Sequence, residues 1–181
     1  ANANPGLDTI DFNITGAGVH TISPLSPLPQ LAGPVIINGT TQPGYAGTPL
    51  IEIDGSNLAG SGASCFYLTS GASGSYILGL AVNRFTGGEA SAIRLFDSDN
   101  NTFTMNFLGT DPTGTVALGN SYGVFLEQDS DNNSIGGSFF PDGNLISGNL
   151  VDGIHIKNGC SDNRIIGNRI GTDVTGSNDL G

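Results

Sequence analysis

Short apolar runs of period two recur along the chain, separated by turns rich in Gly, Asn and Asp. Four of them, Phe66-Tyr67-Leu68-Thr69, Ile93-Arg94-Leu95-Phe96, Val124-Phe125-Leu126-Glu127 and Ile154-His155-Ile156-Lys157, lie 27, 31 and 30 residues apart. Each is followed by a polar turn and then by a second short run centred on Ile77, Phe103, Ile135 and Ile165. Alternation of this kind predicts strands with one buried face. No stretch carries apolar residues at i, i+3, i+4 and i+7 over three turns, and the 29 Gly and 18 Asn suit turns better than helix interiors. The chain is therefore read as all-β. Inward positions stay apolar from unit to unit: Phe66, Ile93, Val124 and Ile154 form one row, Leu68, Leu95, Leu126 and Ile156 another. Such rows require parallel, in-register stacking. Parallel strands cannot be joined by tight hairpins, and no crossover helices exist. The pattern predicts a right-handed parallel β-helix, a solenoid in which each coil buries its apolar face on the next.

A longer repeat supports this. Asn101, Phe103, Asn106, Leu108 and the loop Gly109-Thr110-Asp111 return 62 residues later as Asn163, Ile165, Asn168, Ile170 and Gly171-Thr172-Asp173. The two loops are expected at every second coil on one side, with Asp111 and Asp173 closing them by side-chain-to-backbone bonds. Asn101, Asn133 and Asn163 recur two residues before the second-run apolar residue, and Asn144 takes the same place before Ile146. They are expected to stack as a structural ladder. Cys65, placed on a strand, and Cys160, placed in a turn, fall about three coils apart. At a strand spacing of ~4.8 Å that is ~15 Å, too far for a disulfide, so both thiols are expected free.

Residues 1–50 are less regular. Ile10–Ile14 and Val19–Ile22 read as short strands, and Pro24, Pro27, Pro29 and Pro34 then interrupt the pattern before Val35–Ile37. This stretch is expected to be an entry coil and partial cap, followed by regular coils over 51–181. No linker-like composition divides the two, so 1–181 is read as one domain, a fragment of a longer protein.

Three segments carry a resemblance: the opening residues through Phe12, Ile37–Pro49 with its Thr40-Thr41-Gln42-Pro43-Gly44 run, and the paired Gly-Thr-Asp loops. They resemble the right-handed parallel β-helix repeat regions of large secreted or surface-bound bacterial proteins, the kind that follow an N-terminal CSLREA element. The element itself is not present here. The resemblance covers nearly the whole chain. It implies export, a secreted or cell-surface location and neighbouring segments of a parent chain, and it brings no catalytic residues.

Charge narrows the partners. Five Lys and Arg against 16 Asp and Glu give a formal net charge of −11. Nucleic acid, which needs clustered cations, is excluded. Polyanionic polysaccharide is disfavoured unless cations bridge the like charges. No run of 18 apolar residues indicates a membrane span.

Candidate chemistry gathers on the outward positions of the first runs. Tyr67, Arg94, Phe125 and His155 form one column, and Thr69, Phe96, Glu127 and Lys157 its neighbour, with rungs ~4.8 Å apart. Tyr67 and Phe125 suit stacking on sugar rings, with Arg94, His155, Glu127 and Lys157 as polar contacts. The plainer reading is a Glu127–Lys157 surface ion pair beside strand-favouring aromatics. No catalytic residue is assigned. His155, Lys157 and Arg94 are the residue types a lyase would use as base and carboxylate neutraliser, whereas Glu127 lacks the second carboxylate that glycoside hydrolysis needs. Two His and two distant Cys make no zinc site. Asp97, Asp99, Asp129 and Asp131 occupy successive turns and are the candidate ligands for calcium, the one cofactor considered.

The preferred function is a non-catalytic β-helix module acting in adhesion, carbohydrate contact or spacing. Its possible partners are carbohydrate or another cell-surface polymer. The runner-up is a polysaccharide-active enzyme, lyase or glycoside hydrolase. A third reading is a solenoid that binds ice or another regular surface through repeated threonines such as Thr110 and Thr172.

Overall fold

A computed structural model describes residues 6–138 and 140–181, and in it the chain is a parallel β-solenoid. The first coil contains β1 (Asp8–Asp11) and β2 (His20–Ile22) and ends at Leu31, which bridges to Leu68. Three full coils follow: β3 (Val35–Asn38), β4 (Ile51–Asp54) and β5 (Phe66–Leu68); β6 (Tyr76–Leu78), β7 (Leu80–Asn83) and β8 (Ser91–Phe96); β9 (Thr102–Thr104), β10 (Phe107–Leu108) and β11 (Tyr122–Glu127). The last full coil holds β12 (Ser134–Gly136), β13 (Leu145–Ile146) and β14 (Asp152–Ile156), and β15 (Arg164–Ile166) and β16 (Arg169–Ile170) begin another. From β3 onward every third strand joins the same sheet. The three sheets run β1-β3-β6-β9-β12-β15, β2-β4-β7-β10-β13-β16 and β5-β8-β11-β14, parallel throughout.

Both expected rows are present. Phe66 pairs with Ile93, Ile93 with Val124 and Val124 with Ile154, while Leu68, Leu95, Leu126 and Ile156 pair in the same order. The second runs align too, Ile77 with Phe103, Phe103 with Ile135 and Ile135 with Ile165. One expectation fails. Leu95 and Leu126 are fully buried, but Ile156 is 41% exposed. Its register is as expected; it lies in β14, the edge strand of its sheet, and no strand of the described residues stacks beyond it.

Polar corners are fixed by a repeated hydrogen bond. The Oδ1 of each ladder asparagine accepts the main-chain N–H of the residue one coil earlier, as Asn101 N to Asn133 Oδ1 and Asn133 N to Asn163 Oδ1, both 2.9 Å. Asn144 is not part of that ladder. It stands in a second one, between Asn106 and Asn168, at the start of the middle sheet. A shorter third ladder joins Asn120 to Asn149. These bonds satisfy main-chain donors at corners where the strand pattern lapses. Asn100, Asn132 and Asp162, at equivalent corners, have φ of 58°, 56° and 55°, the left-handed region that Asn and Asp tolerate.

The two Gly-Thr-Asp loops close as expected. Asp111 Oδ1 accepts the N–H of Thr115 and Val116, and Oδ2 accepts the Thr113 hydroxyl at 2.6 Å. Asp173 repeats this with Thr175, Ser177 and Asn178. The loops then fold back over the middle sheet. Ala81, Phe107 and Leu145 form a second small core outside the coil, against which Val174 and Phe140 pack. Gly114 must be glycine here: its φ is +71°, and a Cβ would come 2.8 Å from both Leu145 and Val174. Both cysteines are free, Cys65 buried in the bend just before β5 rather than on the strand, and Cys160 just past a turn.

Candidate functional site

The outward face of β5, β8, β11 and β14 assembles the predicted column, since Tyr67 pairs with Arg94, Arg94 with Phe125 and Phe125 with His155. Rungs in a solenoid lie one strand spacing apart, so flat side chains in a column stack on one another. The Arg94 guanidinium lies 5.1 Å from the Tyr67 ring centre and 5.2 Å from that of Phe125. His155 stacks on Phe125 at 4.9 Å and 9°. Tyr122 sets its ring edge-on to Phe125 at 4.9 Å, and the Lys157 Nζ stands 4.6 Å from the Phe125 centre. Phe125 is only 1% exposed as a result. It cannot serve as a sugar platform. The ring faces are used by their neighbours along the column.

Charged groups close over this stack. Glu127 Oε1 accepts from Arg94 Nε at 2.8 Å and from Nη2 at 2.5 Å, and Glu89 Oε2 accepts from the same Nη2 at 2.6 Å. Lys157 donates to Glu89 Oε1 at 2.6 Å and lies 3.5 Å from Glu127 Oε2. The expected Glu127–Lys157 pair therefore exists, but as one edge of a four-membered network. Two cations meet two anions, so the cluster is neutral. The hydrogen bond from Lys157, with the Arg94 charge behind it, holds the Glu89 carboxyl below its ordinary range. The bond to Glu89 holds Lys157 above its own. Burial works against the Arg94 charge, yet the bond and charge of Glu127 outweigh it and raise that pKa further.

The network bears on catalysis. A lyase base must be able to give up its proton, and a hydrolase acid must hold one near neutrality. The raised pKa of Lys157 opposes a role as base and the lowered pKa of Glu89 opposes a role as acid, while Arg94 keeps the charge that a carboxylate neutraliser needs but directs it at Glu89 and Glu127. His155 directs Nδ1 to Asp152 Oδ2 at 2.7 Å. No described hydroxyl or thiol completes a nucleophilic set with that pair.

No family model matches the chain, and neither a curated protein nor a solved structure matches it significantly.

Glu89, Tyr122 and Asp152 were not found from the sequence. Tyr122 and Asp152 face each other in the paired strands, so counting back along the register would have located both. Glu89 comes from the connection before β8, where no period marks it. Beside the column, Pro27, Leu28, Gln30, Gly62, Ala63, Ser64, Tyr67 and Arg94 line a shallow cleft of about 180 Å³, smaller than the ~300 Å³ at which ordinary ligand pockets begin.

The acidic turns are engaged in coil stacking. Asp99 Oδ1 accepts the Asp131 N–H at 2.8 Å, and Asp131 Oδ1 accepts the Ser161 N–H at 2.6 Å. Asp97 and Asp129 adopt left-handed φ of 53° and 55° in their turns. Among the described residues no three His, Cys, Asp or Glu gather as a metal site. The repeated threonines are internal to their loops: Thr110 is buried, and the Thr110 and Thr172 hydroxyls bond the carbonyls of Asp111 and Asp173. On the opposite face the column Thr9, Ile36, Tyr76, Thr102, Ser134 and Arg164 mixes residue types and forms no regular threonine array.

Proposed function

We propose that the chain is a non-catalytic solenoid module of an exported bacterial surface protein, acting first as a spacer. The observation that carries this is the Arg94, Glu89, Glu127 and Lys157 network. Arg94, Glu89, Glu127, Lys157, His155 and Asp152 are each bound to another charged or titratable side chain on this face, and the Phe125 ring is packed by Arg94, Lys157, Tyr122 and His155. A face of this kind stabilises coil stacking and turns its charged groups toward one another. Export and the surface setting rest on the resemblance of the repeat region. Among the described residues no helix is long and apolar enough to cross a membrane.

Weak contact with a neutral sugar through the small cleft beside Tyr67 is the second role. The neutral cluster and the net charge of −11 oppose uronate polymers. The test combines lyase and reducing-sugar assays on neutral and acidic polysaccharides, with and without Ca²⁺, and a glycan array. No product is expected. Turnover that disappears in Lys157→Ala or His155→Ala would overturn the reading in favour of a polysaccharide-active enzyme.

A further inference from the structure

We propose that Asn100 and Asn132 are acceptor sites for an N-linked glycan. Asn-x-Ser/Thr, with any residue but Pro in the middle, is the triplet that N-glycosyltransferases read. It occurs here at Asn13-Ile14-Thr15, Asn38-Gly39-Thr40, Asn100-Asn101-Thr102 and Asn132-Asn133-Ser134. In so asparagine-rich a chain the triplets alone decide nothing, and the fold separates them.

Asn100 and Asn132 occupy the same corner of successive coils, each one residue before a rung of the first asparagine ladder. Gly74 takes that corner one coil earlier and Asp162 one coil later, and the four have φ of 83°, 58°, 56° and 55° in chain order. A left-handed corner accounts for Gly, Asn or Asp there. It does not account for the residue two places on. Tyr76 follows Gly74 and Arg164 follows Asp162, whereas a hydroxyl, Thr102 or Ser134, follows each asparagine.

Both asparagines are exposed. Their corners are already stacked on the next coil, Asn100 N–H donating to Asp131 O and Asn132 N–H to Ser161 O, both at 3.1 Å. The exposure is therefore sideways, and further coils would leave it as it is. Among the described residues neither side-chain amide makes a hydrogen bond, and neither do the hydroxyls of Thr102 and Ser134, which stand outward on β9 and β12. The middle residues Asn101 and Asn133 are buried in the ladder, so the outer two of each triplet are presented on a fixed backbone.

Asn38 has the same triplet and the opposite setting. It is half-buried, and its Oδ1 accepts the Thr40 N–H at 3.1 Å and the Thr40 hydroxyl at 2.6 Å. Amide and hydroxyl are spent on each other. Gly39 between them is wedged in the coil, where a Cβ would come 2.3 Å from Gly79 O. Asn13 lies in the first coil, where a preceding segment would decide its exposure, and it carries no part of the assignment.

The reaction needs a transferase and a sugar held as its diphosphate ester on a nucleotide or lipid. The Asn Nδ2 bonds to the anomeric carbon as the bond from that carbon to the diphosphate oxygen breaks. The diphosphate leaves with the electron pair, and the amide proton passes to a base of the transferase. A bulky, solubilising group is thereby fixed to the surface at the seam between two coils.

The test uses the full chain, folded and free of glycan, with a soluble N-glycosyltransferase and UDP-glucose, read by intact mass and peptide mapping. One hexose is expected at Asn100 and one at Asn132. The singly modified chain should appear first, because the two rungs are only ~4.8 Å apart. Asn38 should react in a synthetic peptide of its sequence and not in the folded chain. Thr102→Val should abolish transfer to Asn100 and spare Asn132, Ser134→Val should do the reverse, and Thr102→Ser should keep both. Val suits an outward strand position, so circular dichroism should stay unchanged. The assignment is overturned if folded wild type gains no hexose at either corner while peptides carrying the two triplets do, or if transfer to Asn100 survives Thr102→Val. None of these results depends on whether the module is a spacer, binds sugar or turns it over.

Discussion

Asn133 stands at the centre of the first ladder, and its removal tests the claim that corner asparagines hold the coils together. Its Oδ1 accepts from the Asn101 main-chain N–H and from Asn101 Nδ2, both at 2.9 Å, and its Nδ2 donates to Ser98 O at 3.1 Å and Asn163 Oδ1 at 3.0 Å. The residue is buried. At ~1 kcal/mol for each bond, and with buried partners left unsatisfied, Asn133→Ala should cost about 5 kcal/mol. Asn133→Leu fills the same volume without the bonds and separates their loss from that of packing. The assay is equilibrium urea unfolding followed by far-UV circular dichroism. A solenoid is stable coil by coil through its neighbours, so the variant should also show a lower m-value as the last coil uncouples. Asn163→Ala removes the final rung, where water replaces the lost partners, and should cost about 1–2 kcal/mol. A loss below ~1 kcal/mol for both Asn133 variants, with m unchanged, would refute the ladder as a source of stability.

Leu126→Asp buries an unpaired charge and should cost several kcal/mol, whereas Ile156→Asp at the exposed edge should cost about 1 kcal/mol or less, both read from chemical denaturation; equal losses would contradict the register. Chelator followed by millimolar Ca²⁺ should leave the melting temperature unchanged, because Asp99 and Asp131 already accept main-chain N–H groups; a reversible rise with Ca²⁺ would show a site. In the folded state Asp111 titrates below its ordinary value: burial opposes this, but the Thr113 hydroxyl and the N–H groups of Val116, Thr115 and Thr113 outweigh it. Asp173 is lowered mainly by the Thr175 hydroxyl and Asn178. Both contributions are therefore complete above the unfolded carboxyl range near pH 4 and fade as pH falls through the folded values. Urea midpoints at pH 6 and pH 3 should differ more in wild type than in Asp111→Asn, and an identical difference would remove Asp111 from the account.

How much of this was legible in the sequence depended on which sheet a residue belongs to. Two sheets were readable because their inward apolar positions alternate with other residue types and recur at a fixed spacing, as in Leu68, Leu95 and Leu126. The middle sheet was not. Its strands Phe107–Leu108, Leu145–Ile146 and Arg169–Ile170 are two residues long, too short to show a period. The Gly-Thr-Asp loops also cover its outer face, so Phe107 and Leu145 are apolar outside as well as in, and alternation is lost. Asn144 was placed on the wrong ladder for the same reason. At the site, the column was legible from register alone. The burial of Phe125 was not, because it follows from Arg94, Lys157 and Tyr122 folding over the ring, and the loop that brings Glu89 carries no repeat.

The few cations explain how so acidic a chain keeps an ordered surface. Arg84 pairs with Asp54 at 3.0 Å, Arg94 and Lys157 with Glu89 and Glu127, and Arg169 bonds the Val174 carbonyl while its guanidinium lies 4.0 Å from the Phe140 ring centre. Each ties a strand to a loop or to the strand one coil away. Exposed ion pairs contribute little individually, but placed between coils they act where a solenoid is weakest, at the seams between repeats. Cations committed to seams are not available to hold polyanions, and the uncompensated carboxylates that remain outside repel them.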